Sequence, residues 1–93
     1  MTGKYEEVLA EVNRIVCDVL GNDSIVLRYE TTAHDVKGWD SLNHIQLVVA
    51  IEKHFKIRFN FAELQKFKNV GEWCDNIVAK LARANEGRAS GTN

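Results

Sequence analysis

The chain has no proline, one methionine, two cysteines and no wholly apolar run longer than the five residues Leu47-Val48-Val49-Ala50-Ile51. A membrane-spanning helix needs about 20 apolar residues, so none is expected. Cys17 and Cys74 lie far apart without a CxxC spacing. That excludes a disulfide framework and a zinc site, and both are read as reduced thiols of a cytoplasmic protein. His34, His44 and His54 have no metal-ligand spacing either, so no resident metal is expected. Glu6 and Glu7 stand where a signal peptide would carry its apolar core. Net charge is nearly absent as well: 12 basic residues against 13 acidic ones leave −1. A dedicated nucleic-acid binder is normally strongly basic, so that class is set aside.

What remains is 93 residues, 45% hydrophobic and 27% charged, enough for one domain with a modest core and too few for a large catalytic machine. The near-zero charge conceals a division. Residues 1–40 carry four basic and eight acidic side chains, whereas residues 41–93 carry eight basic and five acidic ones.

Periodicity divides the chain into helices. Tyr5, Val8, Leu9, Val12, Ile15, Val16, Val19 and Leu20 follow the i, i+3, i+4, i+7 rule of an amphipathic helix, and Gly21-Asn22 supplies its stop. Residues 22–40 show neither period and read as a long loop, pinned to the core through Ile25, Val26 and Leu27. A second helix is expected over 41–55, opened by Asp40 or Ser41, either of which can cap it. Phe59 to Phe67 suits a turn or two with Phe61, Leu64 and Phe67 inward. A last helix starts with Asn69 as cap and Glu72 as its capping-box partner, and buries Val70, Trp73, Cys74, Ile77, Val78 and Leu81. The domain is assigned to residues 1–85, and residues 86–93, polar with nothing to bury but one alanine, are read as a disordered tail. The expected fold is all-α: a four-helix bundle, three helices long and one short, with the long loop between helices 1 and 2.

The second helix has two apolar faces. At about 100° per residue, Leu47, Val48, Ile51 and Phe55 gather on one side and Leu42, Ile45 and Val49 on another. A protein of this size can bury one of them. The second is a candidate contact surface.

At the head of that helix stands Gly38-Trp39-Asp40-Ser41-Leu42. Asp-Ser-Leu, followed by Ile45, Leu47, Val48, Ile51, Glu52 and Phe55, resembles the acyl carrier protein family, and the helix order extends the likeness over residues 4–84. The resemblance implies that Ser41 is an attachment point for 4'-phosphopantetheine, whose thiol holds acyl groups as thioesters. It implies modification by a phosphopantetheinyl transferase from coenzyme A, with Asp40 near a transient magnesium ion. It also implies a non-catalytic monomer that visits acyl-transferring, condensing or modifying enzymes, docking through Leu42, Ile45 and Val49. A phosphate at Ser41 suits a helix N-terminus, where free N–H groups and the positive end of the macrodipole favour an anion.

One departure bears on pathway. Fatty-acid carriers commonly have an acidic second helix, yet residues 41–68 hold only Glu52 and Glu63 against Lys53, Lys56, Arg58, Lys66 and Lys68. This leans towards a specialised carrier in fatty acid, polyketide or related lipid biosynthesis. Two alternatives stand beside it: a peptidyl or aminoacyl carrier, and an unmodified helical interaction module. A hydrolase built on Asp40, Ser41 and His44 is disfavoured, because no G-x-S-x-G elbow accompanies the serine; His44 is read as a solvated residue beside the arm.

Overall fold

The structure, a computed structural model, describes residues 4–91. Helix α1 spans Lys4–Leu20, α2 Ser41–Phe55, α3 Phe61–Lys66 and α4 Val70–Gly91, with a short 3-10 turn at Ala33–Asp35 inside the long loop. Helix α1 packs against both α2 and α4. Its stripe of Val8, Val12, Ile15 and Val16 meets Leu47 and Ile51 of α2 and Val70, Trp73, Cys74 and Ile77 of α4 in one core. Leu47, Ile51, Ile77, Val12 and Val16 have no exposed surface, and burying each side chain contributes about 1.5–3 kcal/mol.

The long loop is held by polar contacts the periodicity could not show. Asn13, on the loop-facing side of α1, donates from Nδ2 to the Ile25 carbonyl at 2.9 Å and accepts the Leu27 N–H at 2.6 Å. The Cys17 thiol also approaches the Ile25 carbonyl, at 3.5 Å. Cys17 is therefore buried, although it stands off the apolar stripe of α1. Leu27 enters the core and Ile25 packs at its edge, but Val26 is 70% exposed. The expectation that all three pin the loop fails at Val26, because in extended backbone neighbouring side chains point to opposite sides.

Further along, the loop is tied to the start of α4. The Val70 N–H donates to the Thr31 carbonyl and the Gly71 N–H to the Tyr29 carbonyl, both at 2.8 Å. A methyl at Gly71 would overlap the Tyr29 ring, so the close approach requires glycine there.

Helix α3 starts with a reciprocal cap: Asn60 accepts the Glu63 N–H at 2.8 Å and Glu63 accepts the Asn60 N–H at 2.9 Å. Glu63 also pairs with Lys80 of α4 at 2.9 Å, and these contacts hold its carboxyl below the ordinary range. Leu64 and Phe67 pack against the core as expected, whereas Phe61 is 75% exposed. Phe59, just before the helix, takes the buried position instead, held there by its N–H donating to Glu52 at 2.9 Å.

Helix α4 is opened by Asn69, which accepts the Glu72 N–H at 2.8 Å; the Glu72 carboxylate reaches one residue past the cap, to the Lys68 N–H at 2.9 Å. The helix runs on to Gly91, beyond residue 85, where composition placed the end of order. Ala84, Glu86, Arg88 and Ala89 are good helix formers with no proline or β-branched residue among them. Residues 92 and 93 of the expected tail lie outside the described residues.

Candidate prosthetic-group attachment site

The site is built at the junction of the long loop and α2. Gly38 adopts φ +92°, a conformation favouring glycine, and its carbonyl accepts the Asp40 N–H at 3.0 Å and the Asn43 side-chain amide at 2.8 Å. This turn delivers Asp40 in extended backbone as the cap of α2, where its Oδ1 accepts the Asn43 N–H at 2.8 Å. The sequence left the capping role open between Asp40 and Ser41. The structure gives it to Asp40.

Ser41 is thereby freed. It is the first residue of α2, is exposed, and its hydroxyl has no hydrogen-bond partner among the described residues. Asn43 is satisfied by Asp40, and His44 begins the helical ladder by donating to the Asp40 carbonyl at 2.8 Å. The Ser41 and Leu42 N–H groups remain available at the positive end of the helix. Beside Ser41 lies an open depression of about 550 Å³ lined by Ala33, Trp39, Asp40, His44 and Ile45. An exposed hydroxyl, free amides and an adjoining depression fit a phosphate-linked arm; a buried or capping serine would not.

His44 is not the solvated residue expected. It is half-buried, its Nδ1 accepts the Trp39 indole N–H at 3.1 Å, and its ring lies against Trp39 and Trp73 with centroid separations of 6.2 and 5.6 Å. Trp39 packs the loop onto the core through this bond. With Nδ1 accepting, the neutral imidazole carries its proton on Nε2, so no lone pair remains to deprotonate Ser41. That geometry gives the hydrolase reading no general base at His44.

Burial holds the His44 pKa below its ordinary value of 6.5. The unfolded chain therefore takes up a proton that the folded chain refuses, and stability falls as pH drops through the ordinary value towards the folded one. We expect the melting temperature to fall more between about pH 7.5 and about pH 5.5 in the wild type than in His44→Gln, which keeps an acceptor for Trp39. Whatever the rest of the chain contributes is common to both proteins and cancels in the comparison. Equal losses by thermal denaturation would contradict this role for His44.

Leu42, Ile45 and Val49 are 65%, 61% and 45% exposed. Phe61, placed inside by sequence reasoning, stands out beside them: with Ile45, Val48, Val49 and Leu64 it lines an apolar groove of about 410 Å³ between α2 and α3. Among the described residues no three His, Cys, Asp or Glu side chains converge on a metal position, and no helix is long and apolar enough to cross a membrane.

Comparison with known proteins decides the family. Residues 10–77 match the family model of the phosphopantetheine attachment site. An acyl carrier protein of Thermotoga maritima is 33% identical over 76 residues, covering 82% of this chain and 94% of that one. The chain belongs to the acyl carrier protein family. A second relative of this carrier, from Clostridium acetobutylicum, is 33% identical over 72 residues, covering 77% and 94% of the two chains. The solution structure of a holo acyl carrier protein from Geobacter metallireducens superposes with a TM-score of 0.80 at 48% identity, over 85% of this carrier and 91% of that one. The all-helical, four-helix fold is thus that of an acyl carrier protein, and the matched family model makes 4'-phosphopantetheine its prosthetic group.

Proposed function

We propose that Ser41 is the residue that bears the arm, and that a phosphopantetheinyl transferase places it there from coenzyme A. The observation that carries this is the division of labour between Asp40 and Ser41: the aspartate caps α2, and the serine hydroxyl stands exposed at the same helix end with no structural duty. Once bound, the group supplies a thiol that holds acyl cargo as a thioester. The protein's own residues position the attachment point, present a docking face and keep other nucleophiles away. Asp40, on the exposed side of the junction, is free on its second carboxylate oxygen to approach the transferase's magnesium ion.

Isolation of nucleophiles is visible in both cysteines. Cys74 is fully buried, and burial together with nearby Asp75 pushes its thiol up to about 12; Cys17 is buried in the clip beside Ile25. Neither can capture an acyl group from a thioester on the surface. Titration with a thiol reagent tests this reading. The native unmodified protein is expected to show no fast-reacting thiol, and the same protein after incubation with coenzyme A, magnesium and a broad-specificity transferase to show one. Fast reaction of the unmodified native chain, or no gain after incubation, contradicts the account.

Leu42, Ile45 and Val49, extended by Phe61, form the face we assign to partner enzymes. A groove beside Val49 is edged by Lys53, Lys56 and Arg58, none of them in an ion pair among the described residues, while Glu52 is engaged with the Phe59 N–H. An acyl-transferring, condensing or modifying enzyme that fits it offers an apolar recess edged with acidic side chains. That polarity supports a specialised role in fatty acid, polyketide or related lipid biosynthesis, in the cytoplasm.

A further inference from the structure

His44, in the wall of the depression beside Ser41, is engaged by the protein through only one of its two ring nitrogens. It stands three residues after Ser41, so the two side chains are neighbours on the surface of α2, with Cβ atoms about 5–6 Å apart. The ring is firmly placed. Its Nδ1 accepts the Trp39 indole N–H at 3.1 Å, and Trp39 and Trp73 lie against it at centroid separations of 6.2 and 5.6 Å.

The other nitrogen is unpaired and reachable. Nε2 has no hydrogen-bond partner among the described residues, and it is not one of the buried side-chain atoms that lack a partner, which are Tyr5 Oη, the Trp73 indole nitrogen and Asn76 Oδ1. It therefore keeps contact with solvent. Because Nδ1 accepts, the neutral ring carries its proton on Nε2, and burial favours that neutral form. The side chain thus offers one N–H donor and no acceptor from the wall of the space that adjoins the attachment serine.

The chemistry of the arm selects what this donor meets. Along 4'-phosphopantetheine the hydroxyl and the two amides are neutral acceptors, whereas the phosphodiester is anionic and is the group joined directly to the serine oxygen. A hydrogen bond to an ionised acceptor is about twice as strong as one between neutral groups. The phosphodiester is both the nearest acceptor in the chain of the arm and the strongest.

Resting on the assignment of the arm to Ser41, we propose that His44 is a binding residue for its phosphodiester: Nε2–H donates to a non-bridging phosphate oxygen, and the Trp39 indole, by donating to Nδ1, holds the ring in the tautomer that can do so. Trp39, His44 and the phosphate form a chain of two hydrogen bonds, each polarising the other. The first atoms of the arm are thereby fixed against α2. The pantetheine beyond them stays free to reach a partner enzyme.

The test follows the imidazole N–H of His44 by nuclear magnetic resonance in wild-type protein before and after loading with the arm, with loading checked by intact mass. Its signal is identified among those of the three histidines by its loss in His44→Phe. In the arm-bearing wild type, exchange of the Nε2 proton with water is expected to slow about tenfold or more, the factor for a hydrogen bond to a charged group. The phosphorus resonance is expected to differ between arm-bearing wild type and arm-bearing His44→Phe. Arm-bearing Trp39→Phe, which leaves Nδ1 without its donor, is expected to lose most of the slowing. Equal slowing in Trp39→Phe overturns the part given to Trp39. Slowing without a change in the phosphorus resonance overturns the phosphate as acceptor. Unchanged exchange in fully loaded wild type overturns the binding role of His44 and leaves the attachment to Ser41 standing, whereas absence of added mass strikes the attachment and this role with it.

Discussion

Ile51→Glu is expected to unfold the domain, while Ile45→Glu, six residues earlier on the same helix, leaves it folded. Ile51 has no exposed surface and belongs to the apolar core that α2 shares with α1 and α4, a cluster with no buried charged side chain among the described residues. A carboxylate there has no partner, and an unpaired buried charge costs several kcal/mol in addition to the lost apolar contacts. A domain of this size is stable by about 5–15 kcal/mol in total, so the change removes most or all of it. Ile45 is 61% exposed, and a glutamate there keeps its hydration. Surface changes of that kind usually stay within about 0.5 kcal/mol. Circular dichroism melts distinguish the two directly. Acyl transfer with a functional partner enzyme is expected to fall at least tenfold for Ile45→Glu, as for loss of an anchoring apolar contact, and for Val49→Glu likewise. Unfolding of Ile45→Glu would show that the division of α2 into two faces is wrong.

The second large effect is at the attachment residue. Ser41→Ala is expected to abolish phosphopantetheinylation completely while shifting stability by no more than about 0.5 kcal/mol. The reason lies in the local geometry. Were Ser41 the cap of α2, its loss would cost about 1 kcal/mol, and loading and folding would be confounded. Asp40 performs the capping, through the Asn43 N–H at 2.8 Å, so the converse separation holds: Asp40→Ala loses about 1 kcal/mol of stability but keeps the hydroxyl. Chemical denaturation of the two variants, beside their intact masses after incubation with transferase, resolves both roles. A Ser41→Ala protein destabilised as much as Asp40→Ala would return the serine to a purely structural part.

How much of this could be read from the chain is best seen residue by residue. The second helix occupies the expected span 41–55, and the stripes of α1 and α4 are buried as their periodicity requires, because local repeat and core packing agree there. The exposure of Leu42, Ile45 and Val49 followed from angle alone. Where Asp40 and Ser41 could each cap α2, sequence offered no means of choosing, and where it placed Phe61 inside, the structure buries Phe59. Both outcomes are settled by the turn at Gly38 and by the Glu52 carboxylate holding the Phe59 N–H. The Asn13 clip escaped notice because its partners, Ile25 and Leu27, lie more than ten residues away and are bonded through backbone groups that carry no sequence signal. His44 was misplaced for a similar reason. Its surroundings are assembled from Trp39 and from Trp73 on a different helix, and a histidine at the third residue past Ser41 has, by spacing alone, the look of a solvated neighbour.

The absence of charge excess also takes on meaning in three dimensions. Some acidic residues of the first half are engaged by basic neighbours, as Glu11 is by Arg14 and His54. Lys53, Lys56 and Arg58 line the groove next to Val49. A near-neutral chain thus presents a cationic edge where partner contact is proposed.

The central claim is that Ser41 carries the prosthetic group. Its most direct test is to incubate the wild-type chain with coenzyme A, magnesium and a broad-specificity phosphopantetheinyl transferase, weigh the intact protein, and locate the added mass by fragmentation of the peptide that contains residues 38–53. The account predicts a single phosphopantetheine per chain, on Ser41. No added mass with any of several transferases, or added mass on another residue, would contradict it.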